Sequence, residues 1–302
     1  MSIRSTAPTP SKVYLPALSD PPTTIVEYLC SHFPQIPPDV WHTRIAERKV
    51  FNEGHDAVRM DSPYQAGITV LYFRETSNEQ AIPFQEEVLF ENEDLLVADK
   101  PHFLPVTPSG EAVNECLLYR LQRKTGNCEL VPLHRLDRDT AGIVLFSKLE
   151  KSRPGYSQLF EEKLVAKKYL AVAAVPGAHS VTTGREWQVE NRIERAASGF
   201  RMRTVEGQQN AITRIAVRDL DPQFGYFELF PTTGKKHQLR LHMASIGWPI
   251  LNDSFYPYLE VSDEADFSRP LQLLASEISF KDPVTGKELA FRSRQRLLMW
   301  KS

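Results

Sequence analysis

Residues 134–142 (HRLDRDTAG) carry the side chains of this chain that are best arranged for chemistry. Asp137 lies in this segment between Arg135 and Arg138. The apolar run at 143–146 is typical of a strand, so the acid is expected on a turn that enters a strand. A carboxylate with cations around it can hold an anionic substrate over a nucleophile or a base. A solvated ion-pair turn is the alternative interpretation of these charges.

A second group of polar side chains is expected on a helix over residues 236–245, which a glycine and a proline terminate. His237 and Arg240 are three residues apart and therefore share a face of this helix. From there Arg240 can reach Asp137 as a bidentate partner, which would lower the pKa of that carboxyl; a structural ion pair is the alternative. His237 and His242 lack the four-residue spacing of a helical metal pair, so no zinc site is expected.

Residues 134–142 closely resemble the HRLDxxTSG signature of the RluA-type pseudouridine synthases, with Ala141 where that family usually has Ser. Five more segments resemble that family in order and spacing, over about 200 residues: 88–106, 168–170, 233–242, 249–253 and 273–280. The other departures are Asn252 for the usual Gly and Leu274 for a frequent His. None of the departures affects the acid of the signature.

The resemblance implies an isomerase that converts a specific uridine of ribosomal or transfer RNA to pseudouridine without a cofactor or a metal. It implies that Asp137 is the catalytic carboxylate and that Tyr169 and Arg240 act beside it. The ring of Tyr169 can stack on a pyrimidine, and its hydroxyl can donate or take a proton. The residues expected to bind substrate are His134, Arg135, Arg138 and His237. Whether Asp137 acts as a nucleophile or as a base stays open.

The target uridine must leave its stack, which costs a few kcal/mol. Arg135 lies two residues before Asp137 and therefore on the same side of an extended segment. It can fill the space that the base vacates, or it can bind phosphates.

Two other classes of protein are compatible with parts of this pattern. A glycoside hydrolase would need a second carboxylate, which Asp139 can supply, but no cluster of sugar-stacking aromatic residues lies near it in the sequence. A non-catalytic RNA-binding or ribosome-assembly protein on the same fold is the stronger alternative.

The composition is that of a globular protein, with 302 residues, 41% hydrophobic and 25% charged. Three cysteines without a C-x-x-C motif argue against a disulfide framework and indicate a reducing compartment. Neither a secretory signal nor an apolar stretch of about 18 residues is present. We therefore expect a cytoplasmic protein that does not contact a membrane, and a monomer as the simpler oligomeric state.

The formal net charge of −2 is unusual for an RNA-binding protein, but the charges are unevenly distributed. Residues 1–119 hold 8 Lys and Arg against 17 Asp and Glu, whereas residues 120–203 hold 16 against 9. The basic excess therefore surrounds Asp137, where a polyanion would have to bind.

The first 22 residues contain five prolines and are expected to form a flexible tail. Residues 23–78 are expected to form a small α+β module with a helix capped by Thr23 or Thr24, a helix after Pro37 and Pro38, a hairpin at 49–54 and a strand at 67–73. It loosely resembles an RNA-binding module, and its acidity leaves a degenerate structural role equally open. A linker is expected at 76–83.

Residues 84–302 are expected to form the catalytic domain, in the α+β class. The resemblance implies a pseudouridine synthase fold, with a large mixed, mainly antiparallel sheet flanked by helices. Apolar runs between turn signals predict strands at 95–98, 143–146, 169–175, 211–217, 226–230 and 271–280. Helices are predicted at 111–123, 154–163 and 236–245.

Overall fold

The computed structural model describes residues 2–176, 181–197, 199, 201–260 and 266–300. The chain divides into two compact units, of which the smaller holds residues 1–81 and 108–115 and the larger holds 82–107 and 116–302. The smaller unit thus includes the first 22 residues and a later segment, both of which the sequence places outside the 23–78 module.

The described residues of the smaller unit form two helices and two small sheets. These elements are β1 (Ser2–Thr6), β2 (Ser11–Tyr14), α1 (Ile25–His32), α2 (Pro38–Ala46), β3 (Val50–Asn52), β4 (Thr69–Tyr72) and β5 (Glu75–Gln80). β1 pairs with β5, and β4 lies between β2 and β3, all antiparallel. Thr24 caps α1 as predicted, because its hydroxyl accepts the Glu27 N–H while the Glu27 carboxylate accepts the Thr24 N–H.

The prediction of a tail over the first 22 residues is wrong for the segments that form β1 and β2. The prolines that favoured a tail lie between or after these strands, at Pro8, Pro10 and Pro16. Val13 and Leu15 are buried, and this burial offsets the entropy lost when the segment is ordered. Met1 lies outside the described residues.

One more segment of this unit differs from its prediction, because residues 76–83, expected as a linker, contain most of β5. Residues 49–54, expected as a hairpin, contain β3, which pairs with β4 and also with the residues that follow it. Phe51 forms an antiparallel bridge with Ala57, and the Val58 N–H donates to the Val50 carbonyl oxygen at 2.9 Å. The predicted reversal of the chain is therefore confirmed, and its returning arm lies at 56–58.

The larger unit holds the remaining elements. Its strands are β6 (Glu87–Glu91), β7 (Leu95–Lys100), β8 (Val131–Pro132), β9 (Ala141–Ser147), β10 (Ala166–Ala174), β11 (Glu186–Arg195), β12 (Met202–Val205), β13 (Ala211–Leu220), β14 (Phe224–Pro231), β15 (Leu273–Lys281) and β16 (Glu288–Arg292). Its helices are α3 (Leu117–Thr125), α4 (Arg153–Glu161) and α5 (Gln238–Ser245). No helix of the described residues is long and apolar enough to span a membrane.

Within the described residues, eleven strands form one sheet in the order β12-β11-β13-β14-β10-β15-β9-β7-β6, with β16 beside β15 and β8 beside β9. Only the β9–β15 pair is parallel among the described pairs, so the predicted mixed, mainly antiparallel sheet is confirmed. The six runs predicted as strands coincide with β7, β9, β10, β13, β14 and β15. The helix predicted at 111–123 begins only at Leu117, because Cys116 is extended and the N–H groups of 113–115 bind the Glu79 carboxylate.

The parallel contact between β9 and β15 fixes the turn that carries Asp137. In its register Ala141 pairs with Leu274 and Gly142 with Ala275. Gly142 has a φ of 115°, and a Cβ at this position would lie 2.2 Å from the Ala275 carbonyl oxygen. Only glycine therefore allows this close approach of the two backbones.

We expect Gly142→Ala to destabilise the protein by at least about 3 kcal/mol, because the added methyl group meets backbone that cannot move independently of the sheet. Urea unfolding measured by circular dichroism gives this value. Gly286→Ala is the matched control, since Gly286 also has a positive φ but no atom within 4 Å of the added carbon. Equal losses in the two variants would contradict the packing argument.

Candidate active site

A cavity of about 740 Å³ lies in the larger unit. Its walls come from the turn before β9, from the end of α4 with β10, and from the β13–β14 region with α5. It brings together Asp137, Tyr169 and Arg240, which lie on different elements far apart in the sequence. The other predicted site residues on its walls are His134, Arg135 and His237.

The two arginines beside Asp137 have different environments. Arg135 is exposed and lines the cavity. Arg138 is not among the residues on the cavity wall, and its Nε donates to Oδ1 of Asp139 at 3.0 Å. Of the two cations that the sequence places around the acid, only Arg135 therefore faces the cavity.

The guanidinium of Arg240 is buried and is held by Asp253, not by Asp137 as the sequence suggested. Its Nε and Nη2 donate to the two carboxylate oxygens of Asp253 at 2.8 and 2.6 Å. Oδ1 of Asp253 also accepts the backbone N–H groups of Phe255 and Tyr256, which fixes the carboxylate. The remaining nitrogen, Nη1, lies 3.8 Å from Oδ2 of Asp137. The predicted bidentate Arg240–Asp137 pair is therefore wrong, although the two charges are neighbours.

Aromatic rings and carboxylates keep Arg240 charged inside the protein. Its guanidinium carbon lies 4.8 Å from the centre of the Phe255 ring. Burial alone would lower the pKa of Arg240, but the hydrogen bonds and charge of Asp253, together with Asp137 and Asp139, outweigh burial and raise it. The site therefore contains a permanent cation.

Asp137 is enclosed by the cavity, and its side chain keeps 26% of its exposure. Burial raises the pKa of Asp137 above its ordinary value; Arg240 opposes this rise and Asp139 adds to it. The sequence-based expectation of a lowered pKa is thus wrong. The loss of water around the carboxylate raises the pKa more than the positive charge of Arg240 lowers it, since only one nitrogen of the guanidinium lies near Asp137. The result is a carboxylate more basic than an ordinary aspartate.

Tyr169 lies on β10 with its ring against the apolar core and its edge on the cavity. Burial, followed by the negative charge of Asp137, raises the pKa of its hydroxyl. The hydroxyl has no hydrogen-bond partner among the described residues, so it is free to contact a molecule in the cavity. At neutral pH it enters any reaction as a neutral phenol.

His134 and His237 are neutral at physiological pH, since burial lowers the pKa of each to about 3. Nε2 of His134 accepts the Leu145 N–H at 3.1 Å, and its ring stacks on Phe160. Nδ1 of His237 lies 3.2 Å from the Tyr256 hydroxyl. Both imidazoles are therefore fixed by protein contacts, and neither offers a positive charge to a phosphate.

Comparisons with known proteins agree with this arrangement. A family model described as RNA pseudouridylate synthase matches residues 94–245, half of the chain, including Asp137, Tyr169 and Arg240. The dual-specificity RNA pseudouridine synthase RluA of Haemophilus influenzae is 30% identical over 69% of this chain and 92% of its own length. The chain belongs to the RluA-type family of RNA pseudouridine synthases. It is therefore an isomerase that acts on RNA.

Two further similarities extend over most of the synthase. An uncharacterized RNA pseudouridine synthase of Synechocystis is 31% identical over 72% of this chain and 73% of its own length. The solved structure of human RNA pseudouridylate synthase domain containing 4 aligns with a TM-score of 0.52, covering 69% of this chain and 88% of that one, at 24% identity. This second similarity shows the shared fold.

Two of the departures from the family signature have a local explanation in the synthase. Asn252 has a φ of 63°, and asparagine is the residue other than glycine that best tolerates this left-handed conformation. Ala141 is fully buried and packs with Val172, Tyr226, Leu274 and Leu297 in a hydrophobic cluster. Asn252 therefore fits the local backbone conformation, and Ala141 fits the apolar core.

Lys100 is a residue of the site that the sequence analysis missed. It is fully buried, and its Nζ donates to the carbonyl oxygens of Pro101, Leu104 and Arg138 at 2.9, 2.7 and 3.0 Å. Burial lowers the pKa of Lys100 to about 7, although nearby carboxylates, of which Asp139 is the strongest, oppose this change. Lys100 thus ties the turn beside Asp137 to the end of β7. The feature of the sequence that could have indicated Lys100 is a lysine at the end of an apolar strand.

We expect Asp253→Ala to lower the free energy of unfolding by about 3 to 5 kcal/mol, because Arg240 would remain buried without its partner. Urea unfolding of purified protein measures this loss. The matched control is Glu186→Ala, which breaks the exposed Arg214–Glu186 pair and should cost about 1 kcal/mol at most. If the two variants lost similar stability, Asp253 would not be the anchor of the guanidinium.

Proposed function

We propose that this synthase converts a specific uridine of ribosomal or transfer RNA to pseudouridine, with Asp137 as its catalytic carboxylate. The observation that carries the proposal is the cavity in which an acid of raised pKa, a buried cation and a phenol with a free hydroxyl meet. The relative from Haemophilus influenzae is named a dual-specificity RNA pseudouridine synthase, and this name supports keeping more than one class of RNA in the proposal. Such a set matches the steps that pseudouridine formation requires.

The reaction breaks the glycosidic bond of uridine, turns the detached uracil and joins its C5 to the same sugar carbon. Asp137 can begin it as a nucleophile or by removing a proton from the sugar, and its raised pKa makes it stronger in either role. Arg240, 3.8 Å away, stays positively charged throughout and stabilises the carboxylate whenever it is ionised.

The last step removes the proton from C5 of the reattached uracil. Tyr169 can stack on the ring and hold it while it turns. Because its pKa is raised, Tyr169 can take the C5 proton only if it passes its own proton to a base. Asp137 is the candidate for that base, since its charge acts on Tyr169.

We also propose that the synthase acts as a cytoplasmic monomer. Asp137, Tyr169 and Arg240 meet within a single chain, so the proposed chemistry needs no residue of a second copy. The three cysteines form no disulfide, as in proteins of a reducing compartment. Size-exclusion chromatography with light scattering tests the oligomeric state, and a dimer mass at micromolar concentration would contradict the proposal.

We expect Asp137→Asn to reduce pseudouridine formation by on the order of 10³-fold or more, while folding and RNA affinity stay nearly unchanged. The substrate is RNA from cells that lack the protein, and carbodiimide labelling with reverse transcription locates the product. Glu93→Gln, a change at an exposed acid, is the control and should retain full activity. Product formed by Asp137→Asn at the normal rate would remove Asp137 from the mechanism.

We also expect the rate of pseudouridine formation to fall on acidification. The fall should occur at a higher pH than it would if Asp137 had the pKa of an ordinary aspartate, about 3.9. The ionised form of Asp137 is needed, and its pKa in the folded protein is raised, so activity disappears as the pH falls through that raised value. Single-turnover rates between pH 4 and 8 measure this acidic part of the pH–rate profile, and circular dichroism at each pH verifies that the protein stays folded. A rate that is constant down to pH 4 would refute this account of the acid.

A further inference from the structure

The cavity extends well beyond the position of Tyr169. On the sheet Tyr169 pairs with Leu229, and Pro231, two residues further along β14, pairs with Thr213 of β13. Gln209, which also lines the cavity, lies four residues before Thr213 and continues in the same direction. At about 3.3 Å per residue, Gln209 is roughly 15 to 20 Å from the level of Tyr169 along the strands.

The volume of the cavity leads to the same conclusion. Pockets that enclose a whole drug-sized ligand have volumes of about 300 to 1,000 Å³. The cavity here has about 740 Å³, whereas a nucleoside is smaller than most such ligands. A uridine between Asp137 and Tyr169 would leave the end near Gln209 open to a neighbouring part of the RNA.

The cations on the cavity wall are available for a polyanion. No carboxylate of the described residues lies within ion-pair distance of Arg135, Lys163 or Lys235, all of which line the cavity. Cations on nearby strands are already neutralised, each with a carboxylate oxygen within 2.8 Å: Lys168, Arg192 and Arg214. Lys163 precedes Tyr169 by six residues and Lys235 follows Pro231 by four, so both continue in the direction in which Gln209 lies beyond Tyr169. Glu161 adds one carboxylate to the cavity wall.

Gln209 is the side chain at that end that can distinguish one base from another. Its amide is exposed and has no hydrogen-bond partner among the described residues. By contrast, the amide of the adjacent Asn210 is occupied by both backbone groups of Ile193. A free amide offers two donors and an acceptor, the combination that reads the edge of an unpaired base.

We propose that this end of the cavity is a second nucleotide subsite, in which Gln209 reads a base near the target uridine while Lys163 and Lys235 bind its phosphates. This inference rests on the proposed function, because it takes RNA as the molecule in the cavity. It assigns part of the choice of target to a single amide. The uridine end of the cavity provides the chemistry, and the Gln209 end provides discrimination between sequences.

The phosphate contacts are tested by the salt dependence of binding to a fluorescein-labelled 12-nucleotide single-stranded RNA with a central uridine. Each phosphate contact on a single strand contributes about −0.7 to the slope of log K against log salt concentration. The double variant Lys163→Gln/Lys235→Gln should therefore lose about 1.4 of this slope. The double variant Arg192→Gln/Arg214→Gln carries the same charge change at paired cations and should keep the slope of the unmodified protein. Equal slopes for all three proteins, or an equal loss in both variants, would overturn the phosphate contacts.

The role of Gln209 is tested with transcripts of the mapped substrate, each with one nucleotide within three positions of the target replaced. The unmodified enzyme should discriminate about tenfold or more at one of these positions, and Gln209→Ala should lose discrimination there only. Gln208→Ala is the matched control at the neighbouring exposed glutamine. Absence of discrimination in the unmodified enzyme, or the same profile in Gln209→Ala, would overturn the proposal.

These outcomes are independent of the test of Asp137. Binding slopes need no turnover, so a normal rate for Asp137→Asn would remove Asp137 from the mechanism and leave the salt measurement interpretable, whereas absence of product with the unmodified protein would refute the proposed function. Conversely, an inactive Asp137→Asn with an unchanged slope for the lysine variant would support the enzyme and refute the second subsite.

Discussion

One buried guanidinium lies within ion-pair distance of three carboxylates, and this interaction is the one on which the rest of the site depends. Arg240 uses two nitrogens for Asp253, and only its third nitrogen lies near Asp137. A planar group bound in this way cannot rotate, so its position relative to the turn that carries Asp137 is fixed before any RNA arrives. The Asp253 carboxylate in turn is fixed by backbone N–H groups. The geometry around Asp137 thus depends on a carboxylate, Asp253, that does not line the cavity.

The same enclosure that fixes these charges also changes their chemistry. Withdrawal from water raises the pKa of Asp137 and lowers the pKa of Lys100 to about 7, so the acid and the base of this region both tend toward their neutral forms. Arg240 is the exception, because its carboxylate partners outweigh burial. The region therefore combines a guanidinium that stays charged with a carboxyl of raised pKa and a lysine of lowered pKa.

The sequence predicted the sheet because continuous apolar runs lie between turn signals, and the meeting of Asp137, Tyr169 and Arg240 was predicted by the resemblance to the RluA-type family. It did not predict Asp253 as the partner of Arg240, since the choice among several acids is made by tertiary packing. It also gave the wrong direction for the pKa of Asp137, because desolvation depends on walls contributed by distant segments. The N-terminal strands were missed for a similar reason: the residues that bury Leu15 lie elsewhere in the chain.

The apolar pair of Ala141 and Leu274 has a consequence for how this enzyme can diverge. The two residues face each other across the parallel strands, at positions where the resemblance gives Ser and frequently His. A serine introduced alone would place its hydroxyl against leucine, and a histidine introduced alone would place a ring where a methyl group now ends. Each single substitution is disfavoured while the other residue stays apolar. The effects of substitutions at the two positions on the free energy of unfolding are therefore expected not to add, because the two residues share one buried contact.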